Sequence, residues 1–151
     1  METLYAVDLG KRKLGLAYFV GAELEAAWTL HGDGSPGDMA DVTLRCAADK
    51  SATWVCEKPL VYKNFTKAAE DIKSLLDVHV ALRRRGVRFT QEFLPVQWKG
   101  NVPKPIHHDR LREALSSNEQ KVFDTLGHDA RDAVGIGLYA LKRTRRGGTA
   151  C

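Results

Sequence analysis

The stretch Tyr5-Ala6-Val7-Asp8-Leu9-Gly10-Lys11-Arg12-Lys13-Leu14-Gly15-Leu16-Ala17-Tyr18-Phe19 decides the fold. Apolar residues run into a single carboxylate, Asp8. A glycine, three cations and a second glycine follow, and then another apolar run. This pattern predicts a strand ending at Asp8, a tight turn through Gly10 and a second strand over Leu14–Val20. A carboxylate at a strand end beside a glycine turn can meet a metal ion or a phosphate at close range. Gly10 has no Cβ, so it tolerates positive φ and lets a ligand approach the backbone. An ordinary hairpin whose aspartate starts the turn carries the same residues. Two later stretches weigh on that choice.

Outward from this hairpin, Gly21-Ala22 turns the chain into Glu23–Leu30, which alternates as a third antiparallel strand. His31 to Gly37 is a loop, and Asp38 is placed to cap a helix reaching about Asp49. Thr53-Trp54-Val55-Cys56 reads as a short buried strand that ends in Glu57. A long helix is expected from Asn64 or Thr66 to Arg85, with Gly86 as its stop and arginines in its last turn. Val87–Phe93 alternates as a fifth strand. Pro95–Pro105 reads as irregular and basic, followed by a short helix over Ile106–Leu115. Ser117 with Gln120 resembles a capping box. The last helix is expected from His128 to Arg143, with residues 146–151 as a tail. The order implies an α/β fold: a five-stranded mixed sheet, three antiparallel strands and then two further strands, flanked by helices. The first strand must be central if Asp8 and Glu57 share a ligand.

At 151 residues the chain has the length of a single domain, 1–151, able to bury a real core. With 44% hydrophobic and 28% charged residues it has the composition of a soluble globular protein. No apolar run approaches the roughly 20 residues that span a bilayer, and the N-terminus lacks a signal-peptide pattern. Cys46, Cys56 and Cys151 form no disulfide framework, which points to reduced thiols and a cytoplasmic setting. The lack of a CxxC pair argues against zinc. The net charge of +4 is modest, but its distribution is informative. Cations cluster at Lys11-Arg12-Lys13, at Arg83-Arg84-Arg85 with Arg88, Lys99 and Lys104, and at Lys142-Arg143 with Arg145-Arg146. Such clusters favour a polyanionic partner, although solvated helix ends also collect cations.

Three acidic positions complete the pattern. Glu57 sits at the C-terminal end of a buried strand, where open α/β sheets bind ligands. Asp129 and Asp132 are spaced i, i+3 and share a helix face. Two like charges so placed repel unless a cation lies between them, and a divalent metal ion meets that need. An aspartate-rich first helical turn is the alternative. His128 stands beside them.

The ordered set, strand-Asp8-Leu9-Gly10-x4-Gly15, strand-Glu57 and a late helix opening Asp129-x-x-Asp132-Ala133, resembles the RuvC-type Holliday-junction resolvases of the RNase H-like nuclease superfamily. It covers nearly the whole chain. The wording of Val96-Gln97-Trp98-Lys99-Gly100-Asn101-Val102-Pro103-Lys104 is closer to the divergent RuvC-like proteins of phages or mobile elements. The resemblance implies an Mg²⁺-dependent endonuclease, with Mn²⁺ as a substitute and two ions per site, acting as a homodimer on four-way junctions and other branched DNA. It implies Asp8, Glu57, Asp129 and Asp132 as metal ligands, with Asp8 bridging. Asp129 or His128 would be a peripheral ligand or a water-orienting group. Lys104 or Lys99 would offset charge at the scissile phosphate. Lys11, Arg12, Lys13, Lys99 and Lys104 would hold phosphates. Trp98, Phe65 or Tyr62 would stack on unpaired bases, although aromatics more often serve packing. The apolar face of the long helix around Ile72, Leu76 and Val80 would form the dimer contact. An RNase H-type ribonuclease and a YqgF-like nuclease share the fold. A non-catalytic junction-binding protein and an actin-like nucleotide-binding protein are readings from other classes.

Overall fold

The computed structural model describes residues 1–59, 69–100 and 102–143. Its strands are β1 (Thr3–Asp8), β2 (Lys13–Val20), β3 (Glu23–His31), β4 (Thr53–Glu57) and β5 (Phe89–Phe93). They form one sheet in the order β3-β2-β1-β4-β5. The β1–β2 and β2–β3 pairs are antiparallel; the β1–β4 and β4–β5 pairs are parallel. The mixed five-stranded sheet expected from the sequence is therefore present, with β1 at its centre.

Side chains of β1 divide between two cores, as a period of two requires. Leu4 and Ala6 join Ala17, Phe19 and Val55 on one face. Tyr5 and Val7 join Leu14, Leu16 and Trp54 on the other. Because both faces are covered, β1 reads as one apolar run rather than as an alternation. Helix α6 (His128–Ala140) lies across β1, β2, β3 and β4 on the first face. Its Ala133, Ile136 and Leu138 are fully buried there. Helices α1 (Pro36–Cys46) and α2 (Ala69–Arg84) cover the second face, where Met39, Ala40, Val78 and Leu82 pack. Full burial of side chains such as Phe19, Ile136 and Leu82 contributes about 1.5–3 kcal/mol each.

Some boundaries differ from expectation, each for a local reason. Ser35, not Asp38, caps α1: its Oγ accepts the Asp38 N–H at 3.1 Å, and Pro36 occupies the first turn. The Pro95–Pro105 stretch is not irregular throughout. It holds α3 (Pro95–Trp98) and the start of α4 (Lys104–Glu113), each with a proline in its first turn. The capping box of α5 (Ser117–Phe123) uses Ser116 and Glu119, one residue earlier than expected. Helix α6 ends at Ala140 rather than Arg143, and β5 begins at Phe89 rather than Val87. The expected start of α2, Tyr62, Phe65, Arg145, Arg146 and the 146–151 tail lie outside the described residues.

Candidate active site

The β1–β4 register runs from Leu4↔Thr53 to Val7↔Cys56. One further step sets Asp8 beside Glu57 at the C-terminal ends of two parallel strands. Both share the parity of Ala6 and Val55, so both belong to the face covered by α6. On the other side of β1, Asp8 pairs with Gly15. A Cβ on Gly15 would lie 2.0 Å from the Asp129 carbonyl oxygen. Only glycine lets the first turn of α6 sit that close to β2, and this contact delivers Asp129 to the Asp8 strand end. Gly10 acts differently from expectation. It is not among the positive-φ residues; a Cβ there would meet the Lys13 carbonyl oxygen at 1.9 Å, so its bare backbone closes the turn.

Asp132 lies one turn into α6 and is 7% exposed. Its Oδ1 is 2.9 Å from Nε2 of His108, and its Oδ2 is 3.2 Å from Nζ of Lys104. Glu57 Oε2 accepts a hydrogen bond from the Trp98 indole N–H at 2.9 Å. The Asp8 carboxyl is held well above the usual aspartate range. Burial is the main cause, followed by repulsion from Asp132, Glu57 and Asp129, with Lys99 opposing. Three acids from two other elements are thus near enough to act on the protonation of Asp8. Among the described residues, no three of these four acids bring ligand atoms within 4.8 Å of one another. Asp132 leans towards Lys104 and His108, and Glu57 towards Trp98, as mutually repelling carboxylates would.

Nearly the whole chain is similar to solved resolvase structures. Thermus thermophilus RuvC in complex with a Holliday junction substrate matches at a TM-score of 0.62 and 20% identity, over 99% of this chain and 98% of that one. A second Thermus thermophilus RuvC structure matches at 0.60 and 18%, over 94% and 97%. The fowlpox virus Holliday junction resolvase matches at 0.58 and 10%, over 93% and 97%. The chain has a RuvC-like fold. No family model matches the sequence, and no curated protein does. At these identities the likeness is one of architecture.

Within this RuvC-like fold the expected basic and aromatic residues separate. Lys104 reaches the acids, and Lys99 acts on Asp8 while standing 5.2 Å over the Trp98 ring. Lys11 and Arg12 are exposed in the turn just after Asp8, and Lys13 is exposed at the start of β2. Arg83, Arg84 and Arg88 instead line a cavity beside α2, on the opposite face of the sheet, and Arg85 is paired with Asp41 at 2.7 Å. The single cluster expected from Arg83 to Lys104 is therefore two. Trp98 corrects another expectation. It is 5% exposed, so its indole offers no face to a base; it packs on α6 beside Gly135 and orients Glu57. His128 stacks on His108 at 5.4 Å. His107, 5.2 Å from Trp98, has its pKa pushed down to about 4, mainly by burial. His107 and His108 carry no sequence signal beyond two adjacent histidines in a helix, yet His108 holds the deepest acid of the site.

Proposed function

We propose that this protein is a metal-dependent endonuclease that cuts phosphodiester bonds in branched DNA, most specifically four-way junctions. The observation that carries the proposal is the convergence of Asp8, Glu57, Asp129 and Asp132 at one sheet end, with Asp8 disturbed by the other three. A carboxylate cluster without a cation would repel the phosphate it faces. The donor set is all oxygen, which suits Mg²⁺ or Mn²⁺. Asp8, Glu57, Asp129 and Asp132 would hold two such ions. The bound pair supplies an activated water and stabilises the leaving oxygen.

The remaining work falls to the chain. Trp98 fixes the rotamer of Glu57, and His108 fixes that of Asp132. Lys104, 3.2 Å from Asp132, would offset charge at a scissile phosphate held beside the acids. Lys99 adds positive charge on the same side. The exposed Lys11-Arg12-Lys13 stretch would grip phosphates without reading sequence. Two incisions in a junction require two such sites, which a C2 homodimer provides. Leu76, 45% exposed on α2, and the half-buried Val80 are the available apolar contacts; Ile72 is buried in the protein itself.

The test is incubation of the full chain with a four-way junction, a fork, a linear duplex and an RNA–DNA hybrid, with Mg²⁺, Mn²⁺ or a chelator. Cleavage of the junction and fork that needs the metal is expected. Cleavage in chelator would remove the metal from the mechanism, and preference for the hybrid would turn the enzyme into a ribonuclease. Light scattering with and without junction DNA tests the dimer, and a monomer under both conditions would refute it.

A further inference from the structure

A second group of ligand-bearing side chains lies on the other face of the sheet. Cys56 is on β4, His79 on α2 and Glu92 on β5. One ligand atom from each falls within 4.8 Å of the others, and Cys56 and His79 are buried. Glu92 Oε1 is 2.5 Å from His79 Nε2 and 3.9 Å from Cys56 Sγ. Tetrahedral zinc with a thiolate, an imidazole and a carboxylate sets its ligand atoms about 3.3–3.6 Å apart. The sulfur–oxygen distance is already close to that. The nitrogen–oxygen distance must open, and Glu92 can turn because it lies on the edge strand with its side chain 33% exposed.

We propose that Cys56, His79 and Glu92 form a zinc site distinct from the carboxylate site. Ligand chemistry separates the two: magnesium takes oxygen donors, whereas a thiolate and an imidazole select zinc. One thiolate, one carboxylate, one neutral imidazole and Zn²⁺ sum to zero charge, which suits a site on the covered face of the sheet, where Cys56 shares a core with Trp54, Val78 and Leu82. The fourth position is water, since His79 and Glu92 also line the roughly 880 Å³ cavity that holds Arg83 and Arg88. His79 Nδ1 has no hydrogen-bond partner among the described residues. A metal-bound imidazole usually donates its second N–H, and loss of such support weakens binding by about 10–100-fold. The site is therefore weaker than a complete structural zinc centre. Bound zinc would tie β4, α2 and β5 together. It would also steady the strand end from which the next residue, Glu57, enters the opposite face.

The test is titration of the full chain with Co²⁺ and then Zn²⁺ in saturating Mg²⁺. One Co²⁺ per chain is expected, with a sulfur-to-cobalt charge-transfer band that Zn²⁺ abolishes, and Zn²⁺ should raise Tm. Cys56→Ser should lose the band and bind zinc about 100-fold or more weakly, beyond the outer-shell effect. Cys46→Ser, Cys151→Ser and Asp8→Asn should keep the band. Should Cys56→Ser fail to fold, Glu92→Gln at the sheet edge decides: the zinc-induced rise in Tm should shrink. Absence of the band in the wild type, its survival in Cys56→Ser, or an undiminished rise in Glu92→Gln would each overturn the proposal. Zinc held by the carboxylates alone gives no sulfur band.

Discussion

Asp8 and Glu119 are both acids drawn out of water, and their surroundings are opposite. Burial alone would raise the pKa of each. Glu119, 3% exposed, is surrounded by donors: Arg143 grips both oxygens at 2.7 Å, and the N–H groups of Leu24 and Ser116 donate at 2.7 and 2.9 Å. These bonds outweigh burial and pull its pKa down to about 2. Asp8 is surrounded by Asp132, Glu57 and Asp129, and its pKa rises. One carboxylate joins the β2–β3 hairpin, α5 and the end of α6. The other ends β1 among three further acids. Perturbed groups cluster at functional sites. The direction of the perturbation separates an acid held by donors from one held among other acids.

Under the proposed function, the largest expected effect comes from breaking the acid cluster. Asp8→Asn, Glu57→Gln and Asp132→Asn should each lower junction cleavage by about 10³-fold or more, at least the effect of losing one transition-state-stabilising group. Circular dichroism should be unchanged and junction binding retained. Asp129→Asn should do less harm, because His128 or a water can take its place. Full activity in the Asp8 or Glu57 variant would end the metal-nuclease reading.

Breaking the structural side should leave chemistry alone and reduce stability. Glu119→Gln strands Arg143 among acceptors arranged for its pair, and loss of one partner of a buried ion pair costs about 3 kcal/mol. Denaturant unfolding should show that loss, and cleavage per folded molecule should hold. Two features of this pair explain how unevenly the molecule was legible. Short apolar runs that end in an acid, and helical i, i+3 spacing, mark Asp8, Glu57 and Asp132 without any tertiary information. Glu119 and Arg143 meet through the docking of α5 and α6, which no local pattern encodes. Two adjacent serines, Ser116 and Ser117, each have a partner three residues on, so the box could be read in either frame. The prolines of α3 and α4 look like breakers until their first-turn positions are seen. Cys56, His79 and Glu92 come from three elements and have no motif spacing. The lack of a CxxC pair therefore says nothing about zinc at that place.

A smaller effect tests the support of the working acids. Trp98→Phe keeps a ring in the gap beside α6 but removes the N–H that Glu57 accepts. Metal-dependent cleavage should fall by about 10-fold, the lower end for loss of an outer-shell partner. Junction affinity should not change, because the indole is buried. Loss of affinity with unchanged turnover would restore the stacking role that burial argues against.

The smallest effect is also the sharpest contrast, because the two acids should tilt the pH–stability curve in opposite senses. Glu119 has a depressed pKa. Its contribution is complete above the unfolded value, near 4.5, and is lost as pH falls through about 2. Glu119→Gln should therefore be less stable than the wild type at pH 7, and the gap should narrow in acid. Asp8 has a raised pKa, so the sign reverses. Its protonated form fits the folded site at low pH. Stability is lost as pH rises through the folded value, when a charge must sit among Asp132, Glu57 and Asp129. In chelator at pH 7, Asp8→Asn should melt above the wild type by about 2–4 °C, which corresponds to 1 kcal/mol in a domain of this size. The advantage should vanish below the unfolded aspartate value, near pH 4. Added Mg²⁺ should raise the wild-type Tm and barely move that of Asp8→Asn, since an ion that binds only the native state stabilises it by mass action. An Asp8→Asn protein that melts below the wild type in chelator would mean that Asp8 is held by donors as Glu119 is, and the contrast between the two acids would be lost.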